Sequence, residues 1–91
     1  MSRPGLEHPL ILSYRFCRQR DRLAPPAQAA VDKVLTKLSG GSCKLKKLSP
    51  YPDLYEIRIS SSLRLIIERP LANAGTIVRS VRPHGPILRR P

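Results

Sequence analysis

At 91 residues, with 41% hydrophobic content but one Phe, no Trp and three Tyr, the chain has room for one domain (1–91) whose core must be built from Leu, Ile and Val. Seventeen Lys and Arg against six Asp and Glu give a formal net charge of +11, which favours a nucleic acid, an anionic membrane or an acidic protein as partner. No apolar stretch approaches the roughly 20 residues that cross a bilayer, and Met1-Ser2-Arg3-Pro4-Gly5 is not followed by the apolar core of a signal peptide, so a cytoplasmic protein without a membrane partner is expected.

Residues 1–8 read as a loosely ordered polar leader. Pro9 to Tyr14 carries Leu10, Ile11 and Leu12, a run that suits a first strand. Arg15 to Leu23 contains no breaker. Phe16, Gln19 and Leu23 fall at helical spacing there, with Arg15, Arg18 and Arg22 on another face, which predicts a short basic helix. Cys17 in this segment and Cys43 further on make neither a disulfide framework nor a zinc-ligand spacing, and are expected as reduced thiols. Ala24-Pro25-Pro26 stops the first helix, and Pro26 is placed to open a second. From Pro26 to Leu38 the positions Ala27, Ala30, Val31, Val34, Leu35 and Leu38 form one apolar stripe, ended by Ser39-Gly40-Gly41-Ser42 with a glycine at the C-cap.

Lys44-Leu45-Lys46-Lys47-Leu48 reads as a basic connector, followed by the turn Ser49-Pro50-Tyr51-Pro52-Asp53. Three strands follow. Leu54 to Ile59 alternates Tyr55, Ile57 and Ile59 against Glu56 and Arg58; Leu63 to Glu68 sets Leu63, Leu65 and Ile67 opposite Arg64, Ile66 and Glu68. Thr76 to Arg82 sets Ile77, Arg79 and Val81 against Val78, Ser80 and Arg82. Ser60-Ser61-Ser62 is short enough for a hairpin, and 70–75 makes a longer connection. The predicted fold is α+β: a strand, two helices and a three-stranded antiparallel meander in one sheet, with no internal repeat.

The helix after Pro25-Pro26, the connector ending in Lys47-Leu48, and Asp53-Leu54-Tyr55-Glu56-Ile57-Arg58-Ile59 resemble the RelE/ParE toxin superfamily. Leu63-Arg64-Leu65-Ile66 is similar to that family's second core strand with its arginine, and Val81-Arg82-Pro83-His84 to its closing Val-Gly-x-His segment. The likeness spans residues 9–90, and the order and spacing of the segments carry it. It implies a compact toxin of type II toxin–antitoxin pairs with a RelE-like fold. RelE-like members cut mRNA in the A site of the 30S ribosome, and ParE-like members poison DNA gyrase. Both are held inactive by an antitoxin, usually acidic, in a hetero-oligomer. The sequence departs from the pattern in three places: Arg82-Pro83 replaces a Gly-containing pair, Gly85 follows His84 where related sequences often have Asp, and Arg89 and Arg90 stand where many ribonuclease members carry a base-stacking Tyr.

RNA cleavage through its own 2′-OH needs a proton acceptor, cations on the charged phosphorane and an acid for the leaving 5′-oxygen. The acids are few and dispersed, so neither a metal site nor a cofactor is expected. His84 is the first candidate for proton transfer, since imidazole titrates near neutral pH and the resemblance places it where nuclease members carry a catalytic His. The alternative is an exposed loop histidine without a role. Arg64 stands in a strand otherwise built for a core and matches the family's strand arginine; its guanidinium fork suits phosphate, unless it merely pairs with Glu56 or Glu68. Arg58 and Arg82 alternate with apolar neighbours and can share the Arg64 face. Lys44, Lys46 and Lys47 form a basic edge that either touches substrate or only adds charge. Arg89 and Arg90 can stack on a base or bind phosphate. Arg15, Arg18 and Arg22 offer further non-specific phosphate contacts or a solubilising face. The expectation is a ribosome-dependent endoribonuclease toxin, with a gyrase inhibitor or a non-catalytic basic RNA-binding module as the alternatives.

Overall fold

In the computed structural model, which describes residues 9–69 and 75–83, the chain runs β1 (Leu10–Leu12), α1 (Tyr14–Asp21), α2 (Pro25–Ser39), β2 (Lys46–Lys47), β3 (Leu54–Ser60), β4 (Leu63–Glu68) and β5 (Thr76–Pro83). The leader over 1–8 and most of the connection over 70–75 lie outside these residues.

Both helices start and stop where the sequence supplies the missing backbone partners or, at the start of α2, removes the need for them. α1 begins a residue earlier than the spacing of its apolar positions suggests, because the Ser13 hydroxyl accepts the Phe16 N–H at 3.0 Å. Arg18 and Arg20 in its last turn complement the helix dipole. α2 carries Pro25 and Pro26 in its first turn, where an N–H has no helical acceptor to lose. It ends in a Schellman motif: the Gly41 N–H reaches Leu38 O at 3.0 Å and the Ser42 N–H reaches Lys37 O at 2.9 Å. The glycine that needs its freedom is Gly41, at φ 81°, and not Gly40, which stays helical at φ −84°. Arg20 donates to both oxygens of Asp32, at 2.8 and 2.6 Å, and fastens the helices together. That bond from Arg20 holds the Asp32 carboxyl below the usual aspartate range.

The sheet has the order β1-β5-β4-β3-β2, one strand more than the sequence suggests. β3, β4 and β5 form the expected antiparallel meander. β1 pairs with β5 in parallel, so the two helices carry the chain from one sheet edge to the other. The extra strand comes from the basic connector: Lys46 pairs with Glu56 and Lys47 with Tyr55. The helices cover one face and enclose a core of Phe16, Val31, Leu38, Ile57, Leu65, Ile67, Val78 and Val81. Cys17 and Cys43 pack against this core, and burial pushes the Cys43 thiol pKa up. Among the described residues no helix is long and apolar enough to cross a membrane.

The simple alternation expected for the last strand does not hold. Ile66 pairs with Ser80 while Ile67 pairs with Val78, so Arg79 is an extra residue in a β-bulge. Directly paired residues share a sheet face. Thr76, Val78 and Val81 therefore turn toward the helices and are buried, whereas Ile77, Ser80 and Arg82 take the outer face, where Ser80 and its partner Ile66 are also buried. The register change is what keeps Val81 in the core and Arg82 out of it.

Candidate nucleic-acid interface

On the outer face the strand registers assemble three guanidinium groups. Arg58 pairs with Arg64, and Arg64 pairs with Arg82, so β3, β4 and β5 present one cationic row across three adjacent strands. Paired Cα atoms lie about 4.5–5.5 Å apart, which confines the row to roughly 10 Å of sheet. Like charges directly opposite one another destabilise a sheet. A row of this kind works against folding.

The three arginines are not equivalent. Arg58 and Arg82 are exposed, while the Arg64 side chain is only 13% exposed. Arg64 Nη1 donates to Ser60 O at 2.6 Å and to Leu63 O at 3.1 Å, which ties it to the β3–β4 turn. Its Nε lies 4.0 Å from Glu56 Oε1, a loose ion pair. Glu56 stands one register row away, between Lys46 and Ile66.

Around these groups lies an open depression of about 390 Å³ lined by Lys44, Leu45, Lys46, Glu56, Arg58 and Arg64. Four cations thus surround one carboxylate. The lysine run is split by the pleat: Lys44 and Lys46 line the depression, but Lys47 pairs with Tyr55, whose row leads to core residue Ile67, and so leaves this face. The expected single edge of three lysines is corrected by that register. Glu56 makes the expected ion pair with Arg64, at 4.0 Å, and also lines the depression with Lys44, Lys46 and Arg58. Its signal in the sequence is its position two residues before Arg58, on the same strand face.

The remaining predicted positions fall elsewhere. Arg15, Arg18 and Arg22 line a separate groove along α1 with Tyr14 and Gln19, where the Arg18 guanidinium sits 5.6 Å from the centre of the exposed Tyr14 ring. Glu68 does not pair with Arg64; it accepts from Arg79 Nη1 at 2.6 Å. His84, Arg89 and Arg90 lie outside the described residues.

No protein-family model and no curated protein sequence matches the chain. Solved structures do match it. A chain of the RelBE2 toxin–antitoxin complex from Mycobacterium tuberculosis superposes with a TM-score of 0.73 at 17% identity, over 86% of this chain and 99% of that one. The archaeal RelE–RelB complex from Pyrococcus horikoshii gives 0.72 at 14% identity, over 88% and 98%. The YoeB dimer from Staphylococcus aureus gives 0.68 at 15%, over 87% and 99%. At such identities it is the backbone architecture that is shared, over nearly the full length of both partners: the chain has the RelE-like fold.

Proposed function

We propose that the chain is the toxin of a type II toxin–antitoxin pair, and that its outer sheet face cleaves mRNA on the 30S ribosome. The observation that carries this reading is the Arg58–Arg64–Arg82 row beside Glu56 on an open face. In it, Glu56 draws the proton from a ribose 2′-OH, and the freed oxygen attacks the adjacent phosphorus. Arg64, held by the turn carbonyls, stabilises the charge that develops on the phosphorane, with Arg58 and Lys46 in the same depression and Arg82 paired with it on the next strand. His84, next in sequence after β5, gives its proton to the departing 5′-oxygen, leaving a 2′,3′-cyclic phosphate. The chemistry is acid–base and uses no cofactor. Lys44, Arg89 and Arg90 add phosphate contacts along the strand of RNA, and Lys47 contributes charge at the edge. An acidic antitoxin fits the same face, since it neutralises a chain of net charge +11.

Induced expression of the wild type, Glu56→Gln, Arg64→Ala and His84→Ala, with mapping of mRNA 5′ ends, tests this reading. Codon-phased cuts that vanish in the three variants support it. Growth arrest without new 5′ ends removes it, and trapped gyrase–DNA complexes in those cells assign the fold to gyrase binding instead. Growth-neutral expression with salt-sensitive RNA binding assigns it to a non-catalytic RNA-binding module.

A further inference from the structure

β1 stops at Leu12, whereas β5 runs on to Pro83, so among the described residues the edge of β5 beyond Val78 has no neighbouring strand on the β1 side. The start of α1 takes that place. The Ser13 N–H donates to Val78 O at 3.0 Å, and the Ser13 hydroxyl donates to Arg79 O at 2.8 Å. The Val81 N–H donates to Gln19 Oε1 at 2.8 Å, a bond between residues 62 positions apart. These three bonds bracket Val78 to Val81, the four residues across which the register shifts. Phe16, fully buried between Ser13 and Gln19 in sequence, seats the helix against the sheet, so both polar side chains are delivered together.

The consequence reaches the cationic row. Without the bulge, strict alternation sends Arg82 to the helix side with Val78 and brings Val81 outward, because a one-residue slip moves every following side chain to the other face. We propose that Gln19, assisted by Ser13, is a positioning residue: by accepting the Val81 N–H it holds the bulge that sets Arg82 into the Arg58–Arg64–Arg82 row. The role of that row in RNA binding rests on the function proposed above; the clamp itself does not.

The test uses Gln19→Met, which keeps side-chain length without an acceptor, and Gln19→Glu, which keeps the acceptor. Gln19 is half-buried and stands outside the core, so neither change opens it. Amide exchange followed by NMR is expected to quicken roughly five- to tenfold at Val81 in Gln19→Met, the effect of losing one hydrogen bond, and to stay slow in Gln19→Glu. Binding of an uncleavable 2′-O-methyl oligoribonucleotide is then measured against salt. Gln19→Met and Arg82→Ala are each expected to reduce the log–log salt slope by about 0.7, and the double variant to be no worse than either, since the first acts through the second. Ser13→Ala behaves like Gln19→Met, and Ser13→Thr, which retains the hydroxyl, does not. Unchanged Val81 exchange in Gln19→Met, or additive losses with Arg82→Ala, overturns the proposal. If the wild type binds no RNA, the functional reading falls. The clamp is then judged on exchange and on the Arg64–Arg82 cross-strand NOE, whose persistence in Gln19→Met with unchanged exchange overturns it.

Discussion

Replacing Glu56 with Gln separates binding from chemistry at the outer face, because the two are expected to move in opposite directions. Glu56 Oε1 lies 4.0 Å from Arg64 Nε, and its side chain is 20% exposed. Two unit charges at that spacing interact with about 4 kcal/mol at an effective dielectric of 20 and about 1 kcal/mol at that of water. Both side chains are largely buried but the depression above them is open to solvent, so the lower figure is a floor for an anion seated there. For a phosphate bound at a comparable distance from the Glu56 carboxylate, the amide removes a repulsion of about 1 kcal/mol, or roughly fivefold in affinity. On the proposed mechanism, loss of the proton acceptor is expected to cost about 10²- to 10⁴-fold in cleavage rate. Fluorescence anisotropy with a 2′-O-methyl oligoribonucleotide at fixed salt reads the first effect, and single-turnover cleavage on programmed ribosomes reads the second. Tighter binding with slower cleavage is the expected pair. Cleavage at the wild-type rate refutes the proton-transfer role, and parallel losses in both assays make Glu56 a support for Arg64 instead.

Arg64→Lys keeps the charge but cannot hold Ser60 O and Leu63 O while still presenting a fork to phosphate. The salt slope of RNA binding is expected to be unchanged, cleavage to fall by at least about tenfold, and Tm to drop by about 4–8 °C for the loss of about 1 kcal/mol, as thermal melts will show. Gly75 has φ 91°, and an added Cβ meets Pro9 O at 3.0 Å, the same oxygen that pairs with the Thr76 N–H. Gly75→Ala is expected to cost about 1–2 kcal/mol in urea unfolding, and Gly40→Ala, with its nearest neighbour at 3.7 Å, to stay within about 0.5 kcal/mol. The Asp32 carboxyl has a folded-state pKa below its ordinary 3.8, so its contribution to stability is present above that value and is lost as pH falls through the depressed one. The stability gap between the wild type and Asp32→Asn should therefore close on acidification below the ordinary aspartate range, and a gap independent of pH excludes the Arg20 pairing as its source.

Much of the fold was legible because it is carried by local geometry. The stripe from Ala27 to Leu38, the two prolines that open α2 and the glycines that close it act within one or two turns of chain. The alternations in β3 and β4 are equally local, and within each strand they fix which way Arg58 and Arg64 point relative to their apolar neighbours. Arg82 shares their face for a different reason: the alternation counted from Thr76 is broken at Arg79, and only the neighbouring strand and the start of α1 show where. The splitting of Lys46 from Lys47, the parallel pairing of β1 with β5 and the position of Glu56 among four cations are likewise contacts between segments separated in sequence.

Charge and periodicity alone thus determined that this is a basic α+β domain with arginines alternating along its strands. Tertiary structure decided which of them meet. Side-chain direction repeats with the backbone of a single strand, whereas register depends on partners the strand finds across the fold. In β5 that partner is Gln19, 62 residues away from the amide it holds.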